Sequence, residues 1–211
     1  MNKVYCENIS KYIAQHFLNI KHFEDIKLIK HFIIKQHRDN NIYFKYKKRI
    51  YHIKIVNKPY KNLHNKMLQN YNTLIQEYEN YKIEQYILYI GDDVTKLKDN
   101  INTDELIYVY TIINIKDFKK EKFIKSQDAE KVLLSILFNT KNKELFINKI
   151  INQLYKLSTT EAEFKEYLKE LELLSRYKDL ENYIHIWKSF LKNSNYKNVL
   201  LKSWQDHKGI I

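Results

Sequence analysis

The chain opens with apolar residues at helical spacing. Val4, Ile9, Ile13, Phe17 and Leu18 fall near one face of a helix over residues 4–18, the period an amphipathic helix requires. The pattern then changes. In "EDIKLIKHFIIK", "NIYFKYKK" and "RIYHIKIVN" β-branched and aromatic residues replace the helical stripe, and each segment predicts a strand. The third alternates, with Tyr51, Ile53 and Ile55 on one side and His52, Lys54 and Val56 on the other. The short connectors "QHRDN" and "KKR" suit an antiparallel meander, and Pro59 ends it. A helical period returns through Leu63, Met67, Tyr71, Leu74 and Tyr78. Next, "EQYILYIGDD" is a nearly continuous apolar run halted at Gly91, the pattern of a strand buried on both faces. "ELIYVYTIINI" predicts one further strand.

From about residue 120 the strand signal disappears. "SQDAEKVLLSILF", "KELFINKIINQLYKL", "STTEAEFKEYLKELELLSRYKDL" and "ENYIHIWKSFLKN" all carry helical stripes, the third with Ser158, Thr159 or Thr160 as its N-cap. The expected fold is therefore mixed α/β of the α+β kind: helix, three strands, helix, two strands, then helices alone. Residues 1–118 form the α/β core and residues 119–211 a helical C-terminal lobe packed on it.

Charge narrows the partners. Lys and Arg number 37 against 25 Asp and Glu, a formal net charge of +12, which favours a polyanion. Part of that charge reflects a composition crowded with Lys, Asn, Ile and Tyr and holding only two Gly and one Pro, as an AT-biased genome produces. The densest cluster is "KYKKRIYHIKIVNKPYK". Lys45, Lys47, Lys48, Arg49, Lys54, Lys58 and Lys61 lie there, with Lys66 just beyond and Tyr43, Tyr46, Tyr51 and Tyr60 among or beside them. Basic side chains neutralise phosphates and tyrosines stack on bases, so these positions are the candidate DNA-binding surface.

Other chemistries are excluded or unsupported. The single cysteine, Cys6, rules out an internal disulfide and a thiolate metal cluster and fits a reducing, cytoplasmic setting. The N-terminal residues lack the apolar block of a signal peptide, and no run of about 18 uncharged apolar residues predicts a membrane span. No phosphate-cradling glycine loop or GxSxG occurs. The eight histidines show no metal-ligand spacing, and Gly91-Asp92-Asp93 reads as a turn.

Seven segments together carry a resemblance. "NISKYIAQHF", "RDNNIYFKY", "YHIKIV", "KMLQNY", "QYILYIGDD", "LIYVYTIINIKDF" and "LELLSRYKDL" stand in this order from Asn8 to about Leu180. In order and character they resemble the Rpn family of recombination-promoting nucleases, also called putative transposases, of the PD-(D/E)XK nuclease superfamily. That resemblance implies an αβββαβ nuclease core and Mg²⁺-dependent DNA cleavage. The family's acid on the second strand falls on Asn41, or on Asp39 if the alignment slips by two. The glutamate of its "HIEFQ" strand falls on Lys54 and the glutamine on Val56. Mg²⁺ needs oxygen ligands, chiefly carboxylates, and lysine brings the opposite charge. The expectation is therefore a nuclease fold without its catalytic acids, binding DNA through the basic second and third strands and needing no cofactor. Two alternatives stand beside it: an active Mg²⁺-dependent endonuclease with relocated carboxylates at Asp39 and Glu77, and a non-catalytic partner that dimerises through its helical lobe with itself or with an active relative.

Overall fold

The computed structural model describes residues 3–20, 25–32, 40–92 and 97–192. Helix α1 (Lys3–His16) leads into strands β1 (Lys27–Phe32), β2 (Asn40–Tyr46) and β3 (Arg49–Val56), which pair antiparallel in sequence order. Two parallel strands need a crossover between them. Helix α2 (Leu63–Glu77) supplies it, setting β4 (Lys82–Tyr89) parallel to β3. Strands β5 (Asn100–Asn102) and β6 (Ile107–Val109) form a separate ribbon, and β7 (Thr111–Asn114) returns beside β4, also parallel. The sheet order is β1-β2-β3-β4-β7. Helices α3 (Lys120–Ile124), α4 (Ala129–Leu134), α5 (Lys143–Leu157), α6 (Glu161–Ser175) and α7 (Glu181–Lys192) complete the described chain.

The mixed α/β class agrees with the sequence pattern, as does the alternation in β3. Tyr51, Ile53 and Ile55 enter a large core with Ile9 and Ile13 of α1 and with Phe17 just after it. Val56, on the other face, joins Leu63 and Met67 of α2, Ile87 and Tyr89 of β4, and Tyr108 and Tyr110 in a smaller core. Both faces of the sheet are thus covered. The described helices after residue 119 share the core of the sheet: Leu133, Ile150, Leu168 and Leu171 belong to the same cluster as Ile9 of α1, Ile42 and Phe44.

The "ELIYVYTIINI" segment differs from the single strand its pattern predicts. It divides into β6 and β7 at Tyr110, whose N–H bonds the Asp99 carbonyl at 2.9 Å and whose hydroxyl donates to the Lys98 carbonyl at 2.7 Å. Those two bonds hold the segment to the ribbon before it rejoins the sheet. At the end of β4, Gly91 passes so close to β3 that a Cβ there would collide with the Asn57 carbonyl oxygen and the Tyr89 ring.

Helix starts follow local chemistry. Of the three N-cap candidates Thr160 takes the position, accepting from the Glu163 N–H at 3.1 Å, while the Glu163 carboxylate accepts from the Thr159 N–H at 2.5 Å. Backbone corners with positive φ fall on Asn19, Lys47 and Asp179, at φ of 53° to 54°. Lys47 is the unusual one, since a lysine gains nothing from the left-handed region that glycine tolerates and Asn or Asp accept.

Candidate functional site

The paired strands β2 and β3 set Asn41 opposite Lys54 and Tyr43 opposite His52, all four on the face that α2 covers. Lys54 is fully buried and Asn41 is 7% exposed. The Asn41 Oδ1 accepts from His52 Nε2 at 2.8 Å and from Lys54 Nζ at 3.3 Å. Gln85 of β4 completes the row, its Nε2 lying 2.7 Å from His52 Nδ1 and 3.1 Å from the Met67 carbonyl oxygen. An amide nitrogen only donates, so His52 Nδ1 accepts, and the imidazole proton sits on Nε2, pointing at Asn41. The Tyr108 hydroxyl donates to Gln85 Oε1. His52, Lys54, Gln85 and Tyr108 each donate to a partner within or beside this row, as burial favours. Burial, helped by the Lys54 charge, pushes the His52 pKa down to about 3, so the imidazole is neutral near pH 7.

This row occupies the positions where the resemblance expects metal-holding carboxylates, and its donor set does not fit Mg²⁺. Asn41 already shares its one carbonyl oxygen between two donors, Lys54 presents an ammonium, and Val56 fills the apolar core against α2. Hard divalent ions need several free oxygens, and anionic ones above all. Asp39 lies outside the described residues. Glu77, at the C-terminal end of α2, lines a groove on the same sheet face with Tyr43, Asn70, Thr73 and Tyr78.

The basic cluster divides in space. Lys47, Lys48 and Arg49 are exposed at the tip of the β2–β3 hairpin, and Lys45 is half-buried beside it. The Lys45 ammonium donates to the Tyr81 hydroxyl and lies 4.2 Å from the centre of that ring. Arg49 pairs with Glu84, while Lys47 lies 5.2 Å from the centre of the Tyr46 ring. Lys58 and Lys61 are exposed at the opposite end of β3, with Lys66 half-buried 5.8 Å from the Tyr60 ring centre. The eight-residue strand β3, which begins at Arg49, runs between the two groups, about 25 Å at the usual strand rise. Lys54 lies between them. As a phosphate contact it must be corrected, because a side chain with no exposed surface cannot meet a backbone at the protein's exterior.

Several groupings join residues too distant in sequence to be read there. Gln85 and Tyr108 reach His52 only through strand pairing and the ribbon. His16, at the end of α1, lies 3.2 Å from Glu130 and 3.6 Å from Asp128, so the scattered histidines do include one that meets two carboxylates. Asp128 there also caps α4 and faces Lys131 at 3.8 Å. Lys178 donates to the Ile90 carbonyl at 2.9 Å, to Asn57 Oδ1 at 3.4 Å and to Asn139. It ties the turn after α6 to the ends of β3 and β4. Desolvation brings its pKa down to about 8.

No helix among the described residues is long and apolar enough to cross a membrane. A scan against protein-family models matches none, and searches of curated proteins and of solved structures return no match.

Proposed function

We propose that this chain is a nuclease-fold protein that no longer cleaves and that holds DNA against the tip of its β2–β3 hairpin. The observation that carries the reading is the buried Lys54–Asn41 pair on a sheet of meander, crossover helix and parallel strand. A cation and an amide share the place where the Rpn-like pattern expects two carboxylates. Formal charge of +12 favours a polyanionic partner, and the hairpin tip offers Lys47 and Lys48 to it. Arg49 contributes less, being paired with Glu84.

Supercoiled plasmid incubated with Mg²⁺, with Mn²⁺ and with EDTA tests this directly. The expected result is gel retardation that weakens steeply with salt, and no nicking with either metal. Replacing Lys47 and Lys48 by Ala flattens the salt dependence, each lost phosphate contact lowering the slope by about 1. Metal-dependent nicking that disappears in Glu77→Gln overturns the loss of cleavage and favours relocated carboxylates, since Glu77 shares the sheet face of Asn41. Absence of retardation at low salt overturns DNA binding.

A further inference from the structure

We infer that the end of α1 and the start of α4 form a binding site for a zinc-class divalent cation, with His16, Asp128 and Glu130 as its ligands. The inference does not depend on nucleic-acid binding. Helix α1 packs with Ile53 and Ile55 on the face of the sheet opposite α2, so this site is separate from the Asn41–Lys54 row.

The His16 side chain is 6% exposed at the last position of α1, and its Nε2 meets both carboxylates, 3.2 Å from Glu130 Oε2 and 3.6 Å from Asp128 Oδ2. Tetrahedral bonds of about 2.0–2.2 Å set neighbouring donor atoms roughly 3.3–3.6 Å apart. Octahedral Mg²⁺ bonds of about 2.0–2.1 Å set them roughly 2.9 Å apart. The observed spacing matches the first. An imidazole beside two carboxylates is also a donor set that zinc takes, whereas Mg²⁺ favours oxygen alone. The third edge, between the two carboxylates, is within 4.8 Å, and rotation of the Glu130 side chain, 29% exposed, draws it in. An ion takes the place of the Nε2 proton, which passes to Nδ1 when the ring is neutral and is released when the ring is charged. Three protein ligands leave the fourth position for water.

Local chemistry orients the Asp128 carboxylate before any ion arrives. The Asp128 N–H donates to Ser126 Oγ at 3.0 Å, and Asp128 Oδ1 accepts from the Glu130 N–H at 3.0 Å as the N-cap of α4. One carboxylate oxygen thus caps the helix while Oδ2 faces His16, the kind of outer hydrogen bonding that holds a metal ligand in place. Pairing of these acids with amines is thin. Among the described residues, Lys131 is the one lysine or arginine paired with either carboxylate, 3.8 Å from Asp128 Oδ2 and itself 41% exposed. An exposed pair of that length gives way at little cost. The Glu130 charge also reaches the buried Glu170, which is held by Asn8 and Tyr12. Burial raises the Glu170 pKa, and Glu130 adds to the rise. In a chain with 37 Lys and Arg, this acid-lined junction is a local reversal of charge that a divalent cation offsets.

The test is titration of the full chain, stripped with EDTA and dialysed, with Zn²⁺ by calorimetry and with Co²⁺ by visible absorption. One equivalent is expected to bind, with the strong absorption of tetrahedral Co²⁺, displaced by Zn²⁺ and not by a large excess of Mg²⁺. The unfolding midpoint is expected to rise with free Zn²⁺. His16→Gln, Asp128→Asn and Glu130→Gln are each expected to weaken binding at least 10-fold, a lost ligand costing no less than the about 10–100-fold of an outer-shell partner. Asparagine caps a helix as well as aspartate does, so Asp128→Asn removes the anionic ligand and keeps α4. Lys131→Ala is expected to tighten binding by removing the competing ammonium. His185→Ala, at an exposed histidine 3.7 Å from Glu172, is expected to leave binding unchanged. Absence of both heat and Co²⁺ absorption overturns the site, as does full affinity in His16→Gln or Asp128→Asn. Loss of binding in His185→Ala places the ion elsewhere and overturns it too. Weak absorption of the octahedral kind overturns the zinc-class assignment.

Discussion

His52 is the residue on which the sheet's polar interior turns. Its pKa of about 3 in the folded chain lies far below the ordinary 6.5. An unfolded chain therefore takes up a proton between those values while the folded one does not, and stability falls as pH drops from about 6.5 toward 3. The full effect is on the order of 5 kcal/mol. Urea unfolding at pH 7, 5 and 4 is expected to show this loss. His52→Asn is expected to be less stable at pH 7 but to vary less over the same range; an equal pH slope in both proteins would remove His52 from the effect. The alternation that puts His52 and Lys54 on one side of β3 was legible from a period of two. Their closed surroundings were not. Charged and polar residues on a strand look the same in sequence whether they face water or meet partners such as Gln85, 33 positions away.

At the scale of elements, the meander and its crossover helix were readable because apolar spacing switched cleanly between two periods. The β5–β6 ribbon was not, because "NIN" is too short and polar to stand out and Tyr110 divides a segment whose residues are β-formers on both sides of it. The join between β4 and β3 carries its own prediction. Gly91 lies where backbone meets backbone, and the Ile90 N–H bonds the Val56 carbonyl at 2.9 Å beside it. Relief by rotating a flexible side chain is not available against the Asn57 carbonyl. Gly91→Ala is therefore expected to cost about 2 kcal/mol or more, with the two strand ends forced apart. A chemical-denaturation midpoint unchanged from wild type would contradict that close approach.

For the whole molecule, the question is how the C-terminal helices are held to the sheet. Apolar packing supplies most of the contact, through one core that runs from α1 and β2 to α6. Lys178 adds a polar tie at the ends of the parallel strands, with Asp92 and Asp179 favouring its charge and Lys143 opposing it. Its pKa is about 8, against an ordinary 10.5. Between those values the unfolded chain is protonated and the folded chain is not, so this group makes stability rise with pH from about 8 upward. Thermal unfolding of wild type and Lys178→Met across pH 7.5 to 10 isolates the contribution, since the other titrating groups are common to both. The wild type is expected to gain relative to the variant as pH rises, and parallel curves would rule the tie out. None of this was visible in "SRYKDL", where Lys178 looks like any other lysine of a lysine-rich chain.

The left-handed corner at Lys47 has a consequence for how this protein tolerates improvement. Asn19 and Asp179 hold their positive φ with residue types that accept it; Lys47 does so at the exposed tip of the hairpin. Strain of this kind costs about 1–2 kcal/mol. Lys47→Gly is expected to raise the unfolding free energy by about 1 kcal/mol and to weaken nucleic-acid binding in the same step, measurable by denaturation and anisotropy on one preparation. Selection for thermal robustness alone would exchange that lysine, and the proposed contact with a polyanion is a reason for the turn to keep it.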